Sequence, residues 1–97
     1  MYQIDFSQDA ERQLRALSKR DQALLISSIR QQLTHQPAAS SRNRKLLRPN
    51  IRAAWELRVR DFRVLYNIDE DIVTVIVVAV AIKDRNRYLV DGEEYEL

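Results

Sequence analysis

The fold is decided by residues 55–66, which read WELRVRDFRVLY. Apolar side chains occupy alternate positions in residues 55–59 and again in residues 62–66, the period of a half-buried β-strand. A tight turn at residues 60–61 places the apolar side chains of both strands on one face. The pairs on that face are Val59 with Phe62, Leu57 with Val64 and Trp55 with Tyr66. Because a slip by one residue would turn these side chains to solvent, the pattern predicts an antiparallel hairpin in this register.

The same register sets Arg58 directly against Arg63 on the opposite face of the hairpin, and Glu56 against Leu65. Like charges facing each other across two strands destabilise the pair by up to about 1 kcal/mol. A bound anion between the two guanidinium groups would remove that cost, and Arg suits bidentate recognition of phosphate. The alternative is that both side chains spread into solvent or pair with Glu56 and Asp61.

The residues before the hairpin predict one strand and two helices. Apolar and polar residues alternate over residues 2–6, which indicates a short strand. Ser7 is placed to cap a first amphipathic helix over residues 8–17, and Ser18 to cap a second helix that Pro37 ends. These two helices form an αα-hairpin.

The residues after the hairpin predict a second turn at residues 69–71 and a strand over residues 72–82, which follows the two hairpin strands and is called here the third strand of the meander. That strand is almost wholly apolar and rich in β-branched residues, as expected where a strand is covered on both faces. The order β-α-α-β-β-β predicts an α+β fold, a mostly antiparallel sheet with both helices on one face. The length of 97 residues predicts one domain spanning residues 1–97.

Charge is distributed very unevenly along the chain. Residues 42–63 carry eight Lys or Arg against two acids, whereas residues 64–97 carry three against eight. Such a basic segment is typical of a phosphate-bearing partner, although a solvated surface is the alternative. Residues 37–53 have no sustained period and predict a long loop pinned by Leu46 and Leu47. The residues of this segment predicted to contact the phosphates of such a partner are Arg42, Arg44, Lys45, Arg48 and Arg52.

Composition excludes several kinds of site. The chain has no Cys and a single His, so no disulfide framework or Cys-based zinc site is expected. Gly92 is the only Gly, which excludes a Gly-rich nucleotide loop, and no acidic segment has EF-hand spacing. We therefore predict no metal and no cofactor.

The sequence also predicts where the protein is found. It shows no signal peptide, and its longest apolar run is far shorter than the ~20 residues that span a bilayer. The chain is therefore expected in the cytoplasm and not in a membrane.

RNA cleavage by 2′-OH attack needs a base for that hydroxyl, positive charge for the transition state and an acid for the leaving 5′-oxygen. Arg58 and Arg63 are candidates for the positive charge, and Glu56 is the candidate base. Lys83 and Tyr88 follow the third strand and are candidates for the acid, although Tyr88 is equally suited to packing.

Residues 55–66 resemble the hairpin of the RelE/ParE superfamily of bacterial type II toxins, which looks like W-x-L-R-V-G-D-Y-R-V-x-Y. Residues 45–47 resemble the K-x-L that precedes that hairpin. Residues 73–88 resemble the family's last strand and its basic tail, which often ends in Tyr. The order of elements is similar over nearly the whole chain, so the resemblance implies a RelE-like fold.

The resemblance implies a ribosome-dependent mRNA endoribonuclease that inhibits translation without a metal. A gyrase inhibitor of the ParE type and an inactive toxin-derived binding module are the alternatives. It also implies a cognate antitoxin as partner, expected to bind through an acidic amphipathic segment and to form a complex with the toxin, while mRNA and the ribosome are the targets.

The resemblance assigns roles to individual residues. Arg63 matches the family's phosphate-stabilising Arg, and Arg58 matches its basic neighbour on the facing strand. Arg85 is nearest to the Arg that follows the last strand, with Lys83 beside it, and Tyr88 is nearest to the tail Tyr.

The chain departs from the family at three places. Ala54 and Glu56 stand where some RelE toxins carry two Lys, and Arg60 stands where the family usually has Gly. Residues 89–97 are acidic and contain an Asp-Gly turn, so they predict a short hairpin, whereas many members end in a basic helix. The acids expected to screen the basic face weakly are Glu93, Glu94 and Glu96.

Overall fold

The computed structural model describes residues 1–95. It contains two helices and a sheet, in the predicted α+β order with three further short strands. The elements are β1 (Gln3–Phe6), α1 (Gln8–Arg15), α2 (Lys19–Leu33), β2 (Arg44–Leu46), β3 (Trp55–Val59), β4 (Phe62–Asp69), β5 (Thr74–Asp84), β6 (Arg87–Val90) and β7 (Glu93–Glu94).

Both helices begin at the predicted caps. The hydroxyl of Ser7 accepts a hydrogen bond from the Ala10 amide at 3.0 Å, and that of Ser18 accepts one from the Asp21 amide at 3.1 Å. Each bond satisfies an amide that the first helical turn leaves without a partner. Helix α1 ends at Arg15, two residues earlier than the period predicted.

The sheet runs in the order β2-β3-β4-β5-β6-β7, with β1 pairing parallel to β5. The predicted register of β3 against β4 is confirmed at every pair, including Arg58 opposite Arg63. Arg60 in the turn has a φ of +52°, the left-handed conformation that favours Gly. Arg60 thus has the backbone conformation that suits the Gly expected at this position from the family resemblance.

The helices cover one face of the sheet, called here the first face. The core on this face consists of apolar and aromatic side chains, and the buried hydroxyl of Tyr66 donates to the Pro37 carbonyl at 2.7 Å. Trp55 stacks on Tyr66 with 6.1 Å between ring centroids. Helix α2 contributes Leu25, Ile29 and Leu33 to this core.

The opposite side, the second face, has no helix over it among residues 1–95. The apolar residues buried there are Leu47, Ala53, Leu65, Ala79, Ala81, Val90 and Tyr95. A bulge in β5 helps to build this face, because Leu65 pairs with Ala79 whereas the next residue, Tyr66, pairs with Val77. The intervening Val78 therefore packs against the second face together with Ala79.

The third strand was predicted to begin at Ile72, and that boundary is wrong. Strand β5 begins at Thr74, and Ile72 and Val73 lie in the preceding turn with 62% and 43% of their surface exposed. The carboxylate of Asp69 accepts hydrogen bonds from the amides of Asp71 and Ile72, which extends the turn.

The prediction of a long loop over residues 37–53 is wrong at residues 44–46, which form β2 and pair with β3. Leu47 is buried as expected, but Leu46 is 58% exposed and does not pin the segment. The segment is held instead at Pro37, because the Pro37 carbonyl oxygen accepts a hydrogen bond from the buried Tyr66 hydroxyl.

Candidate functional site

The second face brings together most of the side chains that the sequence singled out for catalysis. Glu56 and Arg58 lie on β3, Arg63 faces Arg58 from β4, and Lys83 on β5 is paired with Tyr88 on β6. Alternation along each strand puts all five on the side of the sheet away from the helices. The three-stranded arrangement β3-β4-β5, extended by β6, therefore makes one continuous surface from residues far apart in the chain.

Arg63 is the most enclosed cation of this surface, with 7% of its area exposed. Its Nη1 donates to the carbonyl oxygens of Arg60 and Phe62, both at 2.8 Å, and its Nε lies 3.8 Å from a Glu56 carboxylate oxygen. The guanidinium carbon lies 4.6 Å from the centre of the Tyr88 ring, a cation–π contact. These contacts satisfy the buried charge without an external anion.

Arg58 and Arg63 face each other in register but differ in environment. Arg58 is exposed, whereas Arg63 turns toward Glu56 and Tyr88. Glu56 is itself buried, with 8% of its surface exposed, so it lies between the enclosed and the solvated parts of the site. The like-charge cost is reduced by this divergence and by Glu56, and a phosphate between the two Arg residues is not needed for the fold.

The residues that follow β5 are only partly gathered into the site. The backbone amide of Lys83 donates to the Asp61 carbonyl at 2.8 Å, which holds Lys83 beside the β3–β4 turn. Arg85 occupies the turn after β5 with a φ of +60°, and its side chain is exposed. Arg87 pairs with Asp84 at 3.2 Å. Lys83 thus belongs to the site, whereas Arg85 lies outside it, in the exposed turn after β5.

The basic residues before the hairpin fall into two groups. Arg42 and Lys45 are exposed, and with Arg58 on β3 they surround an open cleft of about 270 Å³ that Glu56 and Arg44 also line. Arg44 is instead held against the protein, because its guanidinium donates to the carbonyls of Ala39 and Gln32 and to the Gln32 side chain at 2.8–3.1 Å. The exposed cations form a surface that an anionic chain can reach, whereas Arg44 fastens β2 to α2.

Arg48 and Arg52 lie in the loop between β2 and β3, which Asn50 organises. The Asn50 side chain accepts from the amides of Arg52 and Ala53 and donates to the carbonyls of Arg48 and Ala53. Both Arg side chains are exposed, and the guanidinium of Arg52 lies 5.8 Å from the centre of the Tyr95 ring.

Tyr95 is the residue that reasoning from the sequence missed. Its ring lies 6.3 Å from that of Tyr88 and is 7% exposed. Burial raises the pKa of the Tyr95 hydroxyl to about 12, and the nearby Glu56 carboxylate adds to that shift. Within residues 1–95 this hydroxyl has no hydrogen-bond partner. The signal available in the sequence was an aromatic residue shortly after the Asp91-Gly92 turn.

The tail forms the predicted hairpin, with β6 and β7 joined through Asp91 and Gly92. Asp91 accepts two hydrogen bonds from Arg12 and one from Gln13 on α1, and the Arg12 contact holds the pKa of that carboxyl below its usual range. Glu93 and Glu94 are exposed and form no ion pair within residues 1–95. Glu96, the third predicted screening acid, lies outside the described residues.

Neither a metal centre nor a membrane-spanning helix is found in residues 1–95. In that part of the chain, no three acidic or His side chains come together in a way that would ligate a metal ion. None of its helices is long and apolar enough to cross a membrane.

The chain is similar to several solved structures. The RelBE2 toxin–antitoxin complex from Mycobacterium tuberculosis contains a chain 28% identical to this one, with a TM-score of 0.72 and coverage of 84% of this chain and 98% of that one. The isolated Escherichia coli RelE toxin is 20% identical, with a TM-score of 0.73 and coverage of 89% and 88%. The archaeal RelE–RelB complex from Pyrococcus horikoshii is 16% identical, with a TM-score of 0.69 and coverage of 87% and 97%. The last two similarities show the fold alone.

Comparison with sequences gives the family. No curated protein sequence matches the chain significantly. A sequence profile described as the ParE toxin of type II toxin–antitoxin system, parDE, matches residues 4–87, which span both helices and strands β2 to β5, and ends just before Tyr88. The chain therefore belongs to the ParE toxin family of type II toxin–antitoxin systems, within the RelE/ParE superfamily.

Proposed function

We propose that this toxin is a ribosome-dependent mRNA endoribonuclease that acts in the cytoplasm and inhibits translation. The observation that carries the proposal is the second face, where a carboxylate, three cations and a tyrosine hydroxyl share one surface. These residues are Glu56, Arg58, Arg63, Lys83 and Tyr88. They supply a base, positive charge and an acid, the three requirements of RNA cleavage by 2′-OH attack.

The proposed reaction forms a bond between the 2′-oxygen and phosphorus and breaks the bond from phosphorus to the 5′-oxygen. The products are a 2′,3′-cyclic phosphate and a free 5′-hydroxyl. Glu56 takes the proton of the 2′-OH, and Lys83 or Tyr88 gives a proton to the departing 5′-oxygen. Arg58 and Arg63 stabilise the negative charge that grows on the phosphoryl oxygens in the transition state.

Approach of the substrate is directed by the exposed cations. Arg42, Lys45 and Arg58 surround an open cleft that leads to Glu56. We infer that this cleft receives the backbone of mRNA and that Arg48 and Arg52 contact further phosphates of the message or the ribosome. Arg85 extends the cationic surface past the end of β5, so that a bound strand meets positive charge at both ends of the site.

The partner that neutralises the toxin is proposed to be an antitoxin with an acidic amphipathic segment. The similar structures from M. tuberculosis and P. horikoshii are complexes of a toxin with its antitoxin. On this chain, the exposed cations of the second face are the natural contacts for acidic side chains of such a segment. A segment that is disordered alone and folds on binding would cover this extended surface.

Inhibition of gyrase is the second candidate, and one observation favours it. The profile that matches the chain describes the ParE toxin. A toxin that acts by blocking an enzyme needs no catalytic groups, and the enclosure of Arg63 fits a structural role in that case.

The experiment compares the purified protein with Arg58→Ala, using ribosomes stalled on a defined mRNA. Arg58 is the suitable target because it is exposed, so its removal leaves no buried group unpaired. Arg20→Ala on α2 is the matched control, since it removes the same charge from an exposed position on the helical side. We expect cleavage that leaves a cyclic phosphate, at least tenfold slower in Arg58→Ala and unchanged in Arg20→Ala.

A parallel assay of DNA supercoiling distinguishes the candidates. Inhibition of gyrase without any cleavage of ribosome-bound mRNA contradicts the nuclease proposal and favours the second candidate. Activity in neither assay, together with tight antitoxin binding, contradicts both and leaves a toxin-derived binding module.

A further inference from the structure

Arg63 is closed off from solvent by the end of the chain. The Tyr88 ring covers its guanidinium group, and the Tyr95 ring packs on Tyr88 from the tail. Arg52 lies on Tyr95 in turn, so the aromatic layer extends to the loop between β2 and β3. In this conformation a phosphate outside the protein cannot reach the Arg63 guanidinium.

The segment that carries Tyr95 is fastened at a single polar point on α1. Asp91 accepts hydrogen bonds from Arg12 at 2.8 and 3.0 Å and from Gln13 at 3.1 Å. Beyond this point β7 contributes only two residue pairs to the sheet, followed by a bond from the Tyr95 amide to the Tyr88 carbonyl at 3.2 Å. Apart from the packing of Tyr95 in the second face, the segment is therefore held by few polar contacts, and those with Arg12 and Gln13 lie on a different element.

The closed position also contains features that favour opening. The Tyr95 hydroxyl is buried and, within residues 1–95, lacks a partner, so closure removes it from water without compensation. The contacts of Arg12 with Asp91 are solvent-exposed, and exposed ion pairs contribute little.

We propose that residues 91–95 form a C-terminal cover, pinned to α1 by Arg12 and Asp91, that must lift before an RNA phosphate reaches Arg63. The inference rests on the proposed function only for the identity of the ligand. Lifting takes the Tyr95 ring away from Tyr88, so that the Tyr88 ring is free to move off the Arg63 guanidinium. The pin lies on the helical side of the molecule, so a contact made there changes access to the site.

The test measures access to Arg63 directly. Phenylglyoxal modifies guanidinium groups that solvent reaches, and mass spectrometry assigns its rate at each Arg. In the unaltered protein we expect Arg63 to react much more slowly than Arg58, which is exposed and serves as the internal reference. Affinity for a short single-stranded RNA is measured in parallel at one salt concentration.

Two variants move the cover in opposite directions. Arg12→Ala removes the pin, and we expect Arg63 to react about two- to fivefold faster, the range of an exposed ion pair converted to an equilibrium. Tyr95→Phe keeps the ring but removes the hydroxyl without a partner, so Arg63 should react more slowly than in the unaltered protein. Arg15→Ala is the matched control, because it removes an exposed charge from the same helix without touching the tail.

RNA affinity should rise in Arg12→Ala relative to Arg15→Ala and fall in Tyr95→Phe. The cover is contradicted if Arg63 reacts as fast as Arg58 in the unaltered protein, or if Arg12→Ala and Arg15→Ala behave alike. A changed reactivity of Arg63 with unchanged RNA affinity upholds the cover and contradicts the proposed role of Arg63 in binding RNA. The two failures are therefore distinguishable.

Discussion

The two faces of the sheet are built on different principles. The first face buries large apolar side chains against α1 and α2, and its buried Tyr66 hydroxyl is satisfied by Pro37. The second face combines small residues of β5 with a buried cation, a buried carboxylate and two tyrosines of the tail. The first arrangement maximises burial of apolar area, whereas the second holds charged groups in fixed positions.

The difference shows which face stabilises this toxin and which face holds charged groups in place. Burial of apolar surface stabilises the fold roughly in proportion to area. Burial of Arg63 and Glu56 costs free energy unless their hydrogen bonds and charges are matched, which the carbonyls of Arg60 and Phe62 help to do. The second face thus holds charged side chains in fixed positions at a cost in the free energy of unfolding.

The largest expected effect comes from the first face. Trp55→Ala removes a ring that is 9% exposed and stacked on Tyr66, and we expect a loss of about 3–5 kcal/mol in the free energy of unfolding. Urea denaturation measures the loss, with Arg58→Ala on the same strand as an exposed control. An unchanged midpoint would mean that the ring is not part of the core.

Removal of the buried cation of the second face should come next. Arg63→Ala leaves Glu56 buried without its partner, and we expect a loss of about 3 kcal/mol. The double variant Glu56→Leu with Arg63→Met should recover most of that stability, because apolar groups of similar volume carry no unpaired charge. Denaturation of both variants checks this. If Arg63→Ala is as stable as the unaltered protein, the charge is solvated and the comparison of the two faces fails.

The exposed cations should affect RNA binding and leave stability unchanged. Replacing Arg42 and Lys45 by Ala should reduce the slope of log affinity against log salt by about one unit for each phosphate that the variant no longer neutralises. Arg44→Ala should instead lower the melting temperature, since its guanidinium is bonded to Ala39 and Gln32. A salt titration with thermal denaturation separates the two outcomes, and equal slopes for all variants would exclude the cleft as the RNA-binding surface.

The smallest effect is expected at Tyr95. Tyr95→Phe removes a buried hydroxyl without a described partner and should stabilise the protein by about 1 kcal/mol near neutral pH. The pKa of about 12 in the folded protein lies above the usual value of 10. The proton on this hydroxyl therefore favours the folded state, and the free energy of unfolding falls as the pH rises from 10 toward 12. The Phe variant has no such hydroxyl, so its free energy of unfolding should fall less between pH 10 and 12. Parallel curves for the two proteins between pH 9 and 11 would contradict the burial of the hydroxyl.

Much of the scaffold was predictable because it depends on local signals. Ser7 and Ser18 satisfy helix amides only a few residues away, and alternation sets the register of β3 against β4. The bulge at Val78 was not predictable, since every residue around it is apolar and either face would accept it. The start of β5 was misplaced for the same reason, as Ile72 and Val73 suit a strand but occupy a turn.

The candidate site was predictable only in part. The register of the hairpin placed Glu56, Arg58 and Arg63 on one side, and this placement is confirmed. Their environments were not predictable, because the burial of Arg63 depends on Tyr88 and Tyr95, which come from the end of the chain. The RNA contacts and catalytic roles assigned to these residues stay predictions.

The sequence by itself determined the α+β order, the helix caps and which face of the hairpin each side chain occupies. The reason is that these features depend on periods and bonds between residues close in the chain. Only the tertiary structure decided that Arg44 fastens β2 to α2, that Arg58 is exposed while Arg63 is enclosed, and that Asp91 is held by Arg12. Each of those contacts joins segments distant in sequence, and a charge pattern does not specify which acceptors surround a given guanidinium group.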